Sequence, residues 1–295
     1  MSHLLHPKNL IAIRNLALAA RTTIDGFMAG INKSKVKGPG LEFSQYRSYQ
    51  AGDDLRWMDW KMYARSDRYY IRESEIETSV SVRFVMDASA SMLHEDDGIS
   101  KIDYARYIIA SLAWLAHLQG DSVGMYVCGE NGLYALPSRN DHQHMWRLYH
   151  QLEQVAPGGK MTNPVHFKEI LAGSNRRELV MVVTDLYQES DEIYRLLDTF
   201  STLKHEVMVL HIMGANEMQL RYEGYATLED LETGAVMDIN ANQLRKEYDA
   251  RLQEWLSAAR MAMLDRNIAY RLVVMDEPVD QLLRDFLKQR NRTKA

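Results

Sequence analysis

A single cysteine, Cys128, stands in the whole chain. An internal disulfide is therefore excluded, and the sequence fits a reducing compartment. Its setting in the apolar run 123-VGMYVC-128 predicts a buried structural thiol rather than a nucleophile. Cationic excess is also missing: 35 Lys and Arg face 40 Asp and Glu, for a net charge of −5, which gives no general case for nucleic acid as a partner. Long apolar runs are absent as well. The most apolar helical stretch, 104-YARYIIASLAWLAHL-118, is broken by Arg106 and His117 and falls short of the roughly 20 residues a membrane span needs. The opening MSHLLHPKNL has neither the charged start nor the apolar middle of a signal peptide. These absences together point to a cytoplasmic protein with no membrane span. No Gly-x-x-x-x-Gly-Lys-Ser/Thr motif occurs, so the chain does not read as an ATPase itself.

What is present is an ordinary globular composition, 46% hydrophobic and 25% charged. Residues 7–30 carry Leu10, Ile13, Leu16, Ala17, Ala20, Ile24 and Phe27 at helical spacing and predict an amphipathic helix. The basic residues around it (Lys8, Arg14, Arg21, Lys33, Lys35, Lys37) read as a solvated face. After the punctuation 37-KGPG-40, residues 41–80 are dense in aromatics and paired charges. Apolar, β-branched runs then appear at 80–86, 122–128, 179–184, 206–213 and 268–275. Stretches of helical period lie at 101–119, 142–154, 164–172, 189–203 and 241–265. That alternation predicts an α/β fold, a largely parallel sheet with helices on both faces. Residues 216–240 read as an inserted hairpin, and 279–290 as a final helix. The expected organisation is an N-terminal helix in 1–35, an aromatic and charged segment in 36–79 packed on the main domain, and the α/β domain in 80–292. His142, His144 and His150 do not share one helical face and read as surface residues.

One stretch raises a chemical question. In 84-FVMDASASM-92 an apolar strand ends in Asp87 and is followed by the hydroxyls of Ser89 and Ser91. Ligands of parallel α/β sheets sit beyond the carboxyl ends of strands. A second such end, 179-LVMVVTD-185, supplies Asp185, and the glycine loop 157-PGGKMTNP-164 supplies Thr162. Two carboxylates and three hydroxyls make an oxygen-only set, suited to Mg²⁺ or Mn²⁺ and not to zinc. A strand-ending aspartate and the serines behind it also serve as turn and helix caps. The acids of 94-HEDDG-98 follow directly, which raises the expectation that Glu95, Asp96 or Asp97 fills an open coordination position.

The constellation Asp87-x-Ser89-x-Ser91, Thr162 and Asp185 resembles the metal-ion-dependent adhesion site of the von Willebrand factor A domain. The second loop departs from the usual Gly-Gly-Thr, because Lys160 and Met161 separate Gly159 from Thr162. The resemblance implies a Mg²⁺ that captures an acidic side chain of a partner. Upstream, the spacing Arg47-x-Tyr49-x-x-Gly52-Asp53-Asp54-x-Arg56-x-x-Asp59-Trp60, with Arg65 beyond it, is similar to the signature of the domain-of-unknown-function-58 family. The later 230-DLETGAVMDI-239 and 275-MDEPVDQLLRDFL-287 extend that similarity. Three arginines stand ready to neutralise the three acids of the signature, so this segment reads as a salt-bridge and stacking platform rather than an acid–base site, with Trp60 as a packing anchor. The family resemblance implies a non-enzymatic adaptor for a MoxR-type AAA+ ATPase, carrying an acidic client protein in chaperone-like or metal-insertion work. The rival class is a metal-dependent phosphatase or nuclease using the same ion, with His94 or the acids beside it as base.

Overall fold

A computed structural model describes residues 7–13, 15–33, 45–50, 58, 60–73, 79–130, 132–161, 177–188, 191–220 and 224–294. In chain order the elements open with α1 (Pro7–Ile11), α2 (Leu16–Lys33), β1 (Gln45–Ser48), α3 (Trp60–Ser66) and β2 (Tyr70–Glu73). They continue with β3 (Ser81–Asp87), β4 (Glu95–Asp96), β5 (Ile99–Ser100), α4 (Lys101–Leu118), β6 (Ser122–Gly129), β7 (Gly132–Arg139) and α5 (His142–Gln154). The rest are β8 (Leu179–Thr184), α6 (Glu192–Thr202), β9 (Glu206–Met213), α7 (Ala215–Gln219), β10 (Tyr225–Glu229), β11 (Val236–Asn240), α8 (Ala241–Asp265), β12 (Ala269–Val274) and α9 (Asp280–Lys294). The chain forms two compact units, Met1–Met28 with Ser79–Ala295, and Ala29–Thr78.

In the larger unit six strands form one sheet in the order β12-β9-β8-β3-β6-β7. All neighbours are parallel except β6 and β7. Numbered among themselves in chain order, these strands run 3-2-1-4-5-6 across the sheet, the doubly wound arrangement expected of a von Willebrand A-like domain. Growth of the sheet reverses between β3 and β8, and that is where Asp87 and Asp185 emerge. The continuous apolar runs of the inner strands follow from burial on two faces. Val85, Val182 and Val209 pack against Leu196 and Phe200 of α6 and Ala259 and Met263 of α8. Helix α4 contacts β3, β6 and β9 and buries Tyr104, Ile108 and Leu112 completely or nearly so. Ser100 caps it by accepting the amide of Asp103.

Helix α1, and α2 as far as Met28, belong to this unit. Thr23 Oγ1 and Tyr107 Oη meet at 2.9 Å, and the Arg21 guanidinium lies 4.6 Å from the Trp114 ring centroid. Arg21 is thus stacked rather than part of a solvated basic face, and Lys8 pairs with Asp97. Two other expectations are corrected, and one strand went unpredicted. His144 is buried, with Nε2–H donating to the Val123 carbonyl at 2.8 Å, because it shares the inward face of α5 with Leu148 and Leu152. The edge strand β7 was hidden by Pro137, which an edge tolerates because its N–H side needs no partner. The insertion at 216–240 is not all hairpin: its start belongs to α7, and β10 and β11 pair from Tyr225↔Asn240 to Glu229↔Val236. Cys128 is buried, as expected, and burial pushes its thiol pKa well up.

In the smaller unit β1 pairs antiparallel with β2, from Gln45↔Glu73 to Ser48↔Tyr70. The Tyr49 amide donates to the Tyr69 carbonyl at 3.0 Å, and the Tyr63 and Tyr69 rings stack at 4.6 Å. Tyr49 and Trp60 meet this pair edge-on, which supplies the expected stacking. Trp60 is 59% exposed and is not the packing anchor the sequence predicted. Gly52, Asp53, Asp54, Arg56, Asp59 and the side chain of Arg47 lie outside the described residues.

A buried ion pair locks the entry end of the sheet. Arg83 of β3 donates through Nε to Glu178 Oε2 at 2.7 Å and through Nη2 to Oε1 at 2.8 Å, and Ser81 Oγ donates to Oε1 at 2.8 Å. Burial raises the Glu178 pKa, but the Arg83 hydrogen bonds and charge outweigh it and hold the carboxyl below its ordinary range. A carboxyl with a lowered folded pKa adds stability above the unfolded value, and that contribution disappears as pH falls through the folded one. Glu178→Ala leaves Arg83 buried without its counter-charge and is expected to cost about 3–5 kcal/mol. Urea denaturation at pH 7 reads the loss. Arg83→Met combined with Glu178→Leu should recover most of it.

Candidate metal centre

Strand β3 delivers Asp87 to the sheet's upper edge, and β8 delivers Thr184 and Asp185 beside it, because Met86 pairs in register with Val183. Asp87 is almost fully buried. Its Oδ1 accepts the Ser89 amide at 3.0 Å, and its Oδ2 accepts the Thr184 hydroxyl at 2.6 Å. Ser89 Oγ and Ser91 Oγ stand 3.0 Å apart, and Ser91 Oγ donates to Asp185 Oδ1 at 3.2 Å. Four of the five predicted ligands therefore converge in one run of contacts. The fifth, Thr162, lies outside the described residues. The loop that leads to it is in place: the Gly158 amide donates to the Ala88 carbonyl at 3.0 Å, and the Gly159 carbonyl accepts the Ala90 amide at 2.9 Å. Gly159 has φ +59°, and an added Cβ would fall 2.2 Å from a Glu130 carboxylate oxygen, so the loop requires glycine there.

Burial, and after it the charge of Asp185, pushes the Asp87 carboxyl up to about 6 against the hydrogen bonds from Thr184 and Ser89. Two buried acids repelling each other across hydroxyl oxygens form a donor set that fits a hard divalent cation. Among the described residues no three His, Cys, Asp or Glu side chains come together to hold a metal without the hydroxyls.

Sequence reasoning missed three neighbours. Lys101, the first residue of α4, is buried and donates to Asp185 Oδ2 at 2.9 Å and to Glu217 Oε1 at 2.8 Å. Burial opposes its charge, but Asp185 and Glu217 overcome it and raise its pKa. Glu217 also accepts the Gly214 amide through Oε2 at 2.7 Å. The third is Glu232, at the tip of the β10–β11 hairpin. Burial pushes its carboxyl up to about 7, the Ser91 hydroxyl opposes the shift, and the charges of Asp185, Asp87 and Asp230 add to it.

The acids of the 94–98 loop are turned to other work. Asp96 accepts the amides of Ala215 and Asn216, Asp97 pairs with Lys8, and Glu95 is exposed. His94 Nε2 lies 3.0 Å from Asn216 Oδ1. Ser91, Lys101 and Asp185 open on a cleft of about 1000 Å³, walled by Leu228 and Leu231 of the hairpin and by Leu252 and Trp255 of α8.

Residues 45–256 match the family model described as "Protein of unknown function DUF58". The chain belongs to this family. The uncharacterized proteins Rv1480 of Mycobacterium tuberculosis and Mb1516 of Mycobacterium bovis are each 26% identical to it over 265 residues, which is 89% of this chain and 82% of theirs. Among solved structures, the conserved hypothetical protein BatB from Bacteroides thetaiotaomicron is 18% identical with a TM-score of 0.46, over 73% of this chain and 99% of that one. The SpRpn10 VWA domain is 13% identical with a TM-score of 0.40, over 72% of this chain and 95% of that one. Among the described residues of this family member, no helix is long and apolar enough to cross a membrane.

In the metal-free state, ionising Asp87 costs stability. A carboxyl with a raised folded pKa contributes stability that is complete below its unfolded value and lost as pH rises through the folded one, here about 6. Asp87→Asn should therefore raise the thermal midpoint of chelator-treated protein at pH 7.5, by an effect bounded at about 3 kcal/mol. The advantage should shrink toward pH 4.5. Saturating Mg²⁺ should raise the wild-type midpoint and leave that of the variant unchanged.

Proposed function

We propose that this protein is a metal-ion-dependent protein-binding module without catalytic activity of its own. In this reading Asp87, Ser89, Ser91, Thr162 and Asp185 hold Mg²⁺, or Mn²⁺, and an acidic side chain of a client protein completes the coordination. The observation that carries it is the meeting of Asp87 and Asp185 across the Ser89 and Ser91 hydroxyls at the point where strand order reverses. A bound divalent ion would give strength and direction to a carboxylate contact that is weak in water. The residues around it have separate tasks. Thr184 and the Ser89 amide orient Asp87, and Lys101 neutralises Asp185 from the side of α4. The Lys101 ammonium is shared by Asp185 and Glu217, while Asp87 accepts from a hydroxyl and an amide, neutral donors that leave its charge uncancelled.

The adaptor role extends this reading by family resemblance. The module would link a MoxR-type AAA+ ATPase to its client in the cytoplasm, in chaperone-like or metal-insertion assembly. The hydrolase alternative needs a base beside the ion, and its first candidate, His94, is engaged by Asn216. Calorimetric titration of chelator-stripped protein with Mg²⁺ should give saturable binding that Asp87→Ala abolishes. Phosphatase and nuclease assays with Mg²⁺ or Mn²⁺ should stay at background. Absence of binding in the wild type would remove the metal-bridged reading, and turnover lost in His94→Ala would establish the hydrolase.

A further inference from the structure

The cleft beside the metal centre has two apolar walls that the proposed function leaves without a task. One is the β10–β11 hairpin. Its Ala226 and Leu228 pack onto Leu220, Ile239, Ala241 and Tyr248, and Leu231 lines the cleft beyond them at 44% exposure. The other wall is α8, where Leu252 and the 37% exposed Trp255 line the same cleft with the buried Met213 of β9. Hydrogen bonds hold both walls in place. The Tyr187 hydroxyl donates to Asp230 Oδ2 at 2.6 Å and the Tyr187 amide to Asp185 Oδ1 at 3.1 Å, so the hairpin tip is tied to the loop that carries a candidate ligand. The Tyr248 hydroxyl donates to the Glu217 carbonyl at 2.7 Å, which ties α8 to α7. The cleft is thus built in the absence of a partner, which lowers the ordering cost of binding. Its volume of about 1000 Å³ lies at the upper limit of sites that hold one small molecule. Ser91, Lys101 and Asp185 line it too, so an occupant meets candidate metal ligands and apolar walls together.

The surrounding charges narrow the occupant. Among the described lining residues two are cationic, Lys101 and Arg251, and five are acidic, the exposed Asp191 and Glu229 among them. Both cations are engaged: Lys101 with Asp185 and Glu217, and Arg251 with Glu247 at 2.7 Å. An acid entering this field is repelled unless a divalent ion offsets the repulsion, and a second acid has no such ion to meet. Gln188 and Thr227 interrupt the apolar lining with hydrogen-bonding groups, which suits a peptide better than a hydrocarbon tail.

We propose that the cleft receives a short apolar segment of a protein partner that carries one acidic residue and no second one. The single carboxylate goes to the ion, and the large apolar side chains beside it pack between the hairpin and Trp255. This rests on the metal-dependent reading given above and adds a client class to it: an apolar segment with a lone acid, not an acidic tail. The apolar walls supply affinity, while the ion and the acids around it supply selection.

The test selects peptides on the full chain and then challenges the walls. A random library of short peptides displayed on phage is captured in Mg²⁺ and released with chelator. The recovered sequences are expected to carry one Asp or Glu, at least two large apolar residues and no second acid. A synthetic peptide of the recovered consensus should lose affinity roughly tenfold on Leu231→Ser and on Trp255→Ser. Both variants should bind Mg²⁺ by calorimetry as the wild type does. Leu231 is the more exposed of the two, so its variant carries the test if Trp255→Ser does not fold. With Mg²⁺ heat intact, recovery of nothing, of acid-rich sequences or of sequences without apolar residues overturns the client class and leaves the metal centre standing. Equal peptide affinity in the wild type and the variants overturns the docking walls. Decanoate binding as tightly as the peptide overturns the protein segment in favour of a hydrocarbon tail. Mg²⁺-dependent dimerisation that Leu231→Ser abolishes overturns it in favour of a second copy of the chain. No Mg²⁺ heat in the wild type overturns the metal centre and this inference together.

Discussion

Two aspartates buried at the ends of adjacent strands repel one another, and much of the surrounding architecture answers that repulsion. Asp185 receives a fixed ammonium from Lys101, which Glu217 anchors from the far side. Asp87 is served differently. It accepts from a hydroxyl and an amide, neutral donors that orient a carboxylate without cancelling its charge. The asymmetry suits the proposed cation site. A second lysine at Asp87 would satisfy the pair permanently, whereas hydroxyls leave one charge to be matched from solution.

The sheet was legible because its signal is redundant. Runs such as 179-LVMVVT-184 have no polar position to spoil them, and the helical periods between them are long. The edge strand β7 was not legible, since half-exposed residues and Pro137 carry neither an alternating nor a continuous apolar pattern. The candidate site residues Asp87, Ser89, Ser91 and Asp185 could be read from the sequence because they end or closely follow a buried strand. Lys101 could not. It sits at the start of a helix like any surface lysine, and its partners are 84 and 116 positions away. Glu232 was not legible either, because only the folding back of the β10–β11 hairpin brings it within the influence of Asp185 and Asp87. Local sequence carries strand ends well and long-range electrostatic partners poorly.

The acids of the 94–98 loop show the same limit from the other side. Proximity in sequence to Ser91 made them natural candidates for the open position, but a carboxylate goes where amides are unpaired. Asp96 found the start of α7, whose first backbone N–H groups have no partner within the helix. The His144 correction has a different origin: the apolar face of Leu148 and Leu152 set which side of α5 turned inward, and His144 lies one turn before Leu148 on that side.

The strand order has a further consequence for how the protein comes into being. Asp87 and Thr184 bond across 97 positions, and the connection between β3 and β8 contains α4, β6, β7 and α5. Parallel pairing over such a distance carries a large loop-closure cost and belongs late in assembly. A nascent or partly folded chain would carry its DxSxS loop long before it owned the other half of the centre. Under the proposed function, capture would then report completed folding, and a misfolded copy would be silent by construction.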